Sequence, residues 1–347
     1  VCVGEGEETL REVAERIEKK RSLKGLKGIV YRGPKGKILE NPRRPMLENL
    51  DLLPFPAFEL FDLKRYIPLP NQYMRLPLAN MITSRGCSYA KCTFCFEAGI
   101  FGHKFRRQSP ERVVRDIKRL VQKYGVKEIS FWDDNFVVGK DWLESFAKLL
   151  EKEKLGISWS CYAKVSLVNP EILSIMKKAG CWIIFYGIEA GDQKLLDTIR
   201  KGITIKQIKQ AIEWTEKAGI ESRGAFMLAL PGETPALAEK TIKLALSLPL
   251  DYAQFALTTP YPGSVLFRQC SEEGKINYDF TRYGSFEPVF IPKAYKSEKE
   301  LKALLKSAYR RFYFRPSYVW RRLSRVRSFE DIKRNFEGLL FLVGMNS

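Results

Sequence analysis

The chain has 347 residues, 45% of them hydrophobic, which suffices for one large core with appendages. No apolar run approaches the roughly 18 residues that a membrane-spanning helix needs, and no basic segment leads into an apolar one as a secretory signal would. Its 59 Lys and Arg against 40 Asp and Glu leave a formal charge of +19, which calls for an anionic partner: nucleic acid, anionic lipid or an acidic substrate. The expected location is the cytoplasm, extending to peripheral contact with the inner face of the membrane. A single histidine, His103, excludes a two-histidine metal centre and paired histidine bases. Seven cysteines in a reducing compartment point to ligands or buried thiols rather than disulfides. Of these, Cys2, Cys161, Cys181 and Cys270 stand singly among apolar residues and read as small buried hydrophobes.

Residues 1–45 read as the end of an α/β unit, as though the sequence opened in the middle of a longer protein. VCVGEGEE reads as a strand running into a glycine turn, and ETLREVAERIEKK has helical spacing at Leu10, Val13 and Ile17. GIVYR follows as a short strand. Gly4 and Gly6 serve a strand-to-helix turn, with a phosphate cradle as the alternative. Residues 46–77 hold Pro54, Pro56, Pro68, Pro70 and Pro77, which disfavours long helices and predicts an extended linker laid over a surface.

From residue 78 to 270 strands alternate with helices. LANMITS, VKEISFW, ISWSCYA, WIIFYGI, RGAFMLAL and YAQFALT are apolar runs of the kind buried on both faces. Ser109–Pro110 and Asn169–Pro170 begin helices, and Gly125, Gly180 and Gly219 end them. The expected fold class is therefore α/β, an incomplete parallel barrel of about six βα units, with a doubly wound open sheet as the alternative. In a parallel barrel the strand ends converge on one rim, where active sites lie. Asp133, Asp134, Asn135, Lys164, Glu189, Glu233, Thr258 and Thr259 fall at such ends.

The first strand runs into MITSRGCSYAKCTFCFEAG, which spaces Cys87, Cys92 and Cys95 as C-x4-C-x2-C. Thiolates this close can wrap one iron–sulfur cluster. A structural zinc site wants four ligands, and the nearby fourth candidate is His103. Three ligands instead leave one iron of a 4Fe–4S cluster open for a substrate or cofactor. Strand, RGC loop, cysteine spacing and barrel pattern together resemble the radical S-adenosylmethionine superfamily, where the usual spacing is one residue shorter. FWDDNF, YGIEAG, FMLALPGET and TPYPGSVLF are similar to motifs of its cobalamin-dependent branch, which includes anaerobic magnesium-protoporphyrin cyclases, hopanoid-modifying enzymes and archaeal tetraether-lipid enzymes. VCVGEGEETL with LDLLPFPAFELFDL resembles the end of that branch's cobalamin-binding domain and the linker that follows.

The resemblance implies a 4Fe–4S cluster on Cys87, Cys92 and Cys95, S-adenosylmethionine on its open iron, and cleavage to a 5′-deoxyadenosyl radical. Phe94 would lie against the adenine, and Leu228 to Gly232 would flank it. Asp133, Asp134 and Asn135 would receive the methionine amino group, Lys164 the methionine carboxylate or ribose, and Glu189 the ribose hydroxyls. Ordinary roles stand beside these: Asp134 or Asn135 as a helix cap, Glu189 as the partner of a barrel lysine, Glu233 as a helix start. Cobalamin is expected only with an upstream domain, because the histidine that many relatives offer cobalt is not in this sequence. A low-potential donor, ferredoxin or flavodoxin, would supply the electron.

Residues 271–347 read as a basic helical extension. From Lys293 onward it has 14 Lys and Arg against 5 Asp and Glu, a net charge of +9, threaded with Tyr309, Phe312, Tyr313, Phe314, Tyr318 and Trp320. That composition fits a docking helix, an anionic membrane surface reached through Arg310, Arg311, Arg321, Arg322 and Arg325, or RNA phosphates and bases. The sequence thus predicts a radical S-adenosylmethionine enzyme acting on a hydrophobic, lipid-like or tetrapyrrole-like substrate by methylation, cyclisation or carbon–carbon bond formation. The alternatives are an RNA-modifying enzyme such as a methylthiotransferase, with nucleic acid the less favoured partner, and a non-enzymatic zinc-stabilised RNA-binding protein.

Overall fold

The computed structural model describes residues 1–324, 326 and 329–344. At its centre are six parallel strands: β1 (Leu78–Met81), β2 (Glu128–Phe131), β3 (Ser158–Ala163), β4 (Cys181–Glu189), β5 (Glu221–Leu228) and β6 (Tyr252–Leu257). Their order is β6-β5-β4-β3-β2-β1, each neighbour parallel and next in sequence. A doubly wound sheet needs a point where strand order reverses. This sheet has none among the described residues, so the architecture is the incomplete barrel. β1 and β6 are not paired with each other, and the arc stays open.

Right-handed crossovers place the connecting helices on one face of such a sheet. Between that face and the helices, Phe131, Phe136, Phe146 and Trp159 are fully buried, with ring centroids 4.3–5.8 Å apart. Helix punctuation follows the sequence at Ser109, whose hydroxyl accepts from the Arg112 N–H, and at Asn169, which accepts from the Ile172 N–H. It departs from it twice. The helix Lys140–Glu153 starts at Gly139 with no side-chain cap, so neither Asp134 nor Asn135 caps it. The helix Pro235–Ser247 is capped by Thr234, so Glu233 is released for another role.

The first strand is shorter than its apolar run. It stops at Met81, and Ser84–Arg85 pairs antiparallel with Arg106–Arg107, so the cysteine loop leaves the sheet on a narrow ribbon. In the N-terminal segment the helix Glu7–Glu18 forms, but Leu10 and Ile17 are 63% and 64% exposed. Polar contacts hold it instead: Arg44 donates to the buried Thr9 hydroxyl at 3.0 Å and pairs with Glu12 at 2.6 Å. The expected strand that opens VCVGEGEE reduces to one bridge, Cys2 to Ile29. Cys161, Cys181 and Cys270 are buried as expected, whereas Cys2 is exposed.

The basic extension is a seal on the open edge of β6. On the helix Glu298–Tyr313, the Tyr309 hydroxyl accepts the Phe255 N–H at 3.1 Å and donates to the Phe255 carbonyl at 2.9 Å. The Tyr313 hydroxyl does the same at Ala253, at 3.1 and 2.7 Å. Four helical residues advance about 6 Å and two strand residues about 6.6 Å, so the two spacings match. Tyr309, Phe312, Tyr313 and Tyr318 are buried, while Phe314 and Trp320 are exposed. The arginines expected to face a bilayer are mostly engaged elsewhere. Arg311 pairs with Glu239 at 2.6 Å, Arg321 with Glu216 at 2.8 Å, and Arg322 with Glu221 at 3.5 Å. Arg310 is exposed and Arg325 lies outside the described residues.

Each tyrosine hydroxyl serves one donor and one acceptor on the side of β6 that faces away from β5. Replacing both by Phe should cost about 1–3 kcal/mol per stranded buried group. The same variant should self-associate through the bared edge. Urea unfolding and size-exclusion chromatography check the two effects.

Candidate functional site at the barrel rim

The loop that carries the cysteines is anchored from below by the end of β2. Asp133, 1% exposed, accepts from the Thr83 N–H at 3.1 Å, the Thr83 hydroxyl at 2.8 Å and the Ser84 hydroxyl. Its carboxylate is thereby committed beneath the loop. A place on a substrate ammonium, expected from the resemblance, is not available to it. Asn135 is also buried and works in both directions. Its amide donates to the Cys87 sulfur at 3.4 Å and its carbonyl accepts the Lys164 N–H at 2.9 Å. Asp134, between them, is exposed on the rim.

Cys87 and Cys92 are half-buried and Cys95 is exposed; all seven cysteines are thiols. Burial raises the Cys92 thiol above its usual value, with Lys201 pulling the other way. Cys92 and Cys95 wall one recess of ≈ 750 Å³ together with Tyr89, Phe96 and His103. Among the described residues, no three His, Cys, Asp or Glu side chains stand close enough together to make a ligand set. The donor chemistry nevertheless fits an iron–sulfur cluster. Three thiols share one loop, and Lys201 and Lys164 each interact electrostatically with both Cys87 and Cys92, as cations that balance thiolates should.

Lys201 is the residue that sequence reading missed. Its ammonium lies 2.7 Å from Glu189 Oε1 and 5.5 Å from the centroid of the Phe94 ring. Burial alone would lower its pKa, but Glu189 and Cys92 outweigh that and hold it above the usual lysine value. Lys201 sits in IRKGIT, beyond any strand end, and only the fold carries it to the rim. Glu189 is thus paired with a barrel lysine, the ordinary role weighed for it, and also faces the cysteines. Its backbone has φ +67° at a bulge in β4. Such a conformation is uncommon for a residue with a side chain and is held only where the surroundings over-determine it. Gly187 makes the space: a Cβ there would lie 2.5 Å from Glu189 Oε1 and 2.7 Å from Lys201 Nζ. Lys164 lies 3.1 Å from the Tyr89 ring centroid, and burial lowers its pKa.

At the end of β5, Leu228 is buried and Gly232 exposed, with Ala229 at φ +63° between them. Glu233 shapes this turn. Its Oε1 accepts the Ala229 N–H at 2.6 Å and the Tyr295 hydroxyl at 2.9 Å, which ties the rim to the extension. The ribbon below the cysteines is tied in turn to the N-terminal segment. Glu5 pairs with Arg85 at 2.8 Å and with the buried Arg106 at 2.9 Å. Burial would raise Glu5, but hydrogen bonds from Arg85, the Leu47 backbone and Arg106 hold it below the usual carboxylate range.

These residues assemble thiols, ammonium groups and carboxylates around a single rim, and comparison with known proteins agrees with that chemistry. Residues 81–245 match the Radical SAM superfamily. Over 341 residues the chain is 35% identical to an uncharacterised methyltransferase of Pyrococcus horikoshii, covering 98% of this chain and 72% of that one. Over 321 residues it is 30% identical to the anaerobic magnesium-protoporphyrin IX monomethyl ester cyclase of Rubrivivax gelatinosus, covering 91% of this chain and 56% of the cyclase. In fold it is similar to the radical S-adenosylmethionine methyltransferase TsrM of Kitasatospora setae, solved with cobalamin and a [4Fe-4S] cluster, with TM-score 0.63 and 18% identity over 86% of this chain and 58% of that one. The chain belongs to the radical S-adenosylmethionine superfamily.

The Glu233 carboxyl is pushed up from 4.5 to about 7 by burial. A folded value above the unfolded one means that the folded state holds the proton longer. Stability is therefore full below the unfolded value of 4.5 and falls as pH rises to about 7. The slope should reach at most about 1.4 kcal/mol per pH unit. Glu233→Gln should flatten this slope in denaturant titrations across the window.

Proposed function

We propose that the chain is the core of a radical S-adenosylmethionine enzyme that methylates, cyclises or forms a carbon–carbon bond on a hydrophobic, lipid-like or tetrapyrrole-like substrate. The observation that carries this reading is the C-x4-C-x2-C loop, anchored by Asp133 and Asn135 on the same rim as the Glu189–Lys201 pair. Cys87, Cys92 and Cys95 would hold the cluster. Once bound, the cluster supplies a low-potential electron for reductive cleavage of S-adenosylmethionine. This chain's own residues position and shield. Phe94 and the turn from Leu228 to Gly232 flank the adenosine, Glu189 orients toward its ribose hydroxyls, and Asp134 and Lys164 take the amino-acid end.

The named relatives support the reading: one is an uncharacterised methyltransferase, which supports methylation, and one is a magnesium-protoporphyrin IX monomethyl ester cyclase, which supports a tetrapyrrole-like substrate. Cobalamin, bound in TsrM, would need a domain beyond these residues. A ferredoxin or flavodoxin fits as donor, since both are acidic partners for a chain of charge +19. No helix among the described residues is long and apolar enough to cross a membrane. Peripheral membrane contact would fall to the exposed Trp320, Leu323, Ile332 and Phe336, with Arg310 also exposed. The RNA reading loses most of its stacking surface, because Tyr309, Phe312, Tyr313 and Tyr318 are buried and only Phe314 and Trp320 of that set are exposed.

Anaerobically reconstituted protein should hold about four irons, the content of the 4Fe–4S class, and release 5′-deoxyadenosine on reduction. Joint replacement of Cys87, Cys92 and Cys95 by Ala should abolish both, while Cys161→Ala keeps the iron. Stoichiometric zinc in place of iron would overturn the reading. Gly187→Ala should displace Glu189 and Lys201 and weaken S-adenosylmethionine binding by about tenfold, or about 1.4 kcal/mol, at unchanged iron content. Calorimetric titration measures it.

A further inference from the structure

The inner face of the sheet, opposite the helices, carries a row of large side chains at one level. Trp132 follows the end of β2, and β3 and β4 contribute Tyr162 and Phe185, which stand in register. Their ring centroids are 5.6 Å apart from Trp132 to Tyr162 and 4.9 Å from Tyr162 to Phe185. The linker passes over them, and Phe58 and Tyr66 complete a chamber of ≈ 580 Å³ with mostly apolar walls. That volume falls within the range of about 300–1,000 Å³ typical of small-molecule sites. The wall also carries Arg65, which pairs with Asp62 at 3.4 Å. Trp132 Nε1 donates to Asn80 at 3.1 Å, and the Ser160 and Ser130 hydroxyls are 3.1 Å apart.

The next residue in register on β5 is Arg223. Its guanidinium lies 5.2 Å from the Phe185 centroid, half-buried, and one Nη2 hydrogen goes to the Gln254 side-chain carbonyl. A guanidinium has five N–H donors, so most of this fork is unspent. Among the described residues it meets no carboxylate within ion-pair distance. Its neighbours differ. Two residues earlier on the same strand face, Glu221 is engaged by Arg322. The buried Arg107 spends itself on the carbonyls of Phe136 and Val138 and on the Trp142 ring at 3.3 Å. Arg223 is a cation oriented by Gln254 beside Phe185, one strand beyond the residues that line the chamber, and among the described residues it has no acidic partner. Planar guanidinium forks match carboxylate and phosphate oxygens in pairs, and a cation withdrawn from water without an anion is costly.

We propose that Arg223 anchors a carboxylate or phosphate group of a substrate whose remaining body is apolar and lies against Trp132, Tyr162 and Phe185. The substrate class is thus an amphiphile with one anionic end rather than a neutral hydrocarbon. This rests on the barrel interior being the substrate chamber of the proposed enzyme.

The test compares two probes of one ring class on the full chain: the anionic 1-anilinonaphthalene-8-sulfonate and the neutral N-phenyl-1-naphthylamine. Binding is read as energy transfer from Trp132, isolated by subtracting the Trp132→Phe variant, so that surface binding is not counted. The sulfonate should bind at least about tenfold more tightly than the neutral probe, as a hydrogen bond to a charged group implies. Arg223→Gln should abolish that preference while keeping the neutral probe bound, which also shows the chamber intact. Arg223→Lys should retain part of it, and Gln254→Met, which frees the fork to turn, should reduce it. Equal binding of the two probes by the unmodified protein, or a preference that survives Arg223→Gln, would overturn the anchor. Both outcomes are independent of iron content, so the anchor and the enzyme class can fail separately.

Discussion

The constraint from which the rest follows is that six parallel strands make an arc and not a closed barrel. An open arc leaves a row of backbone donors and acceptors bare on each side and an inner face exposed to water. The chain answers with segments outside the barrel. Tyr309 and Tyr313 satisfy β6 at two alternate residues, and residues 58–72 cross the inner face and roof the chamber. The extension and the linker are therefore what cover the edge and part of the inner face of an incomplete barrel.

Sequential parallel winding also delivers every strand end to one rim, and there the charges are set in tiers. Asp133 and Asn135 lie lowest and hold the cysteine loop by its root. Above them the Glu189–Lys201 pair stands among the thiols, strained at Glu189 and fitted only because residue 187 lacks a side chain. A buried pair of this kind is stabilising only while both partners are present, since removing one leaves the other charged and desolvated. The arrangement makes the site sensitive to small changes of backbone two residues away.

The rim is also tied to both ends of the chain. Glu5 grips the ribbon beneath the cysteines through Arg85 and Arg106, and Tyr295 grips the β5 turn through Glu233. Each contact joins residues far apart in sequence across a buried or half-buried carboxylate, where hydrogen bonds to charge are strongest. Anything that moves the N-terminal segment acts directly on the cysteine loop.

Local chemistry alone determined a good part of this protein. The cysteine spacing, the alternation of apolar runs with capped helices, and the polar residues closing those runs depend on neighbours within a few positions, so the barrel class and the rim were legible in the sequence. The placement of Asp133 was not: whether a strand-end carboxylate faces a ligand or turns under a loop depends on Thr83 and Ser84, fifty and forty-nine residues away. Lys201 and Arg223 carry no motif, and their meaning arises only where the fold sets one beside Glu189 and, among the described residues, leaves the other without a carboxylate. The basic, aromatic extension looked like a surface for lipid or RNA because composition reports charge and rings but not their partners. Tertiary packing decided that its tyrosines face the edge of β6 and that Arg311, Arg321 and Arg322 meet acidic residues of the barrel, because an exposed strand edge and an unpaired carboxylate each bind the nearest matching group that the fold brings within reach.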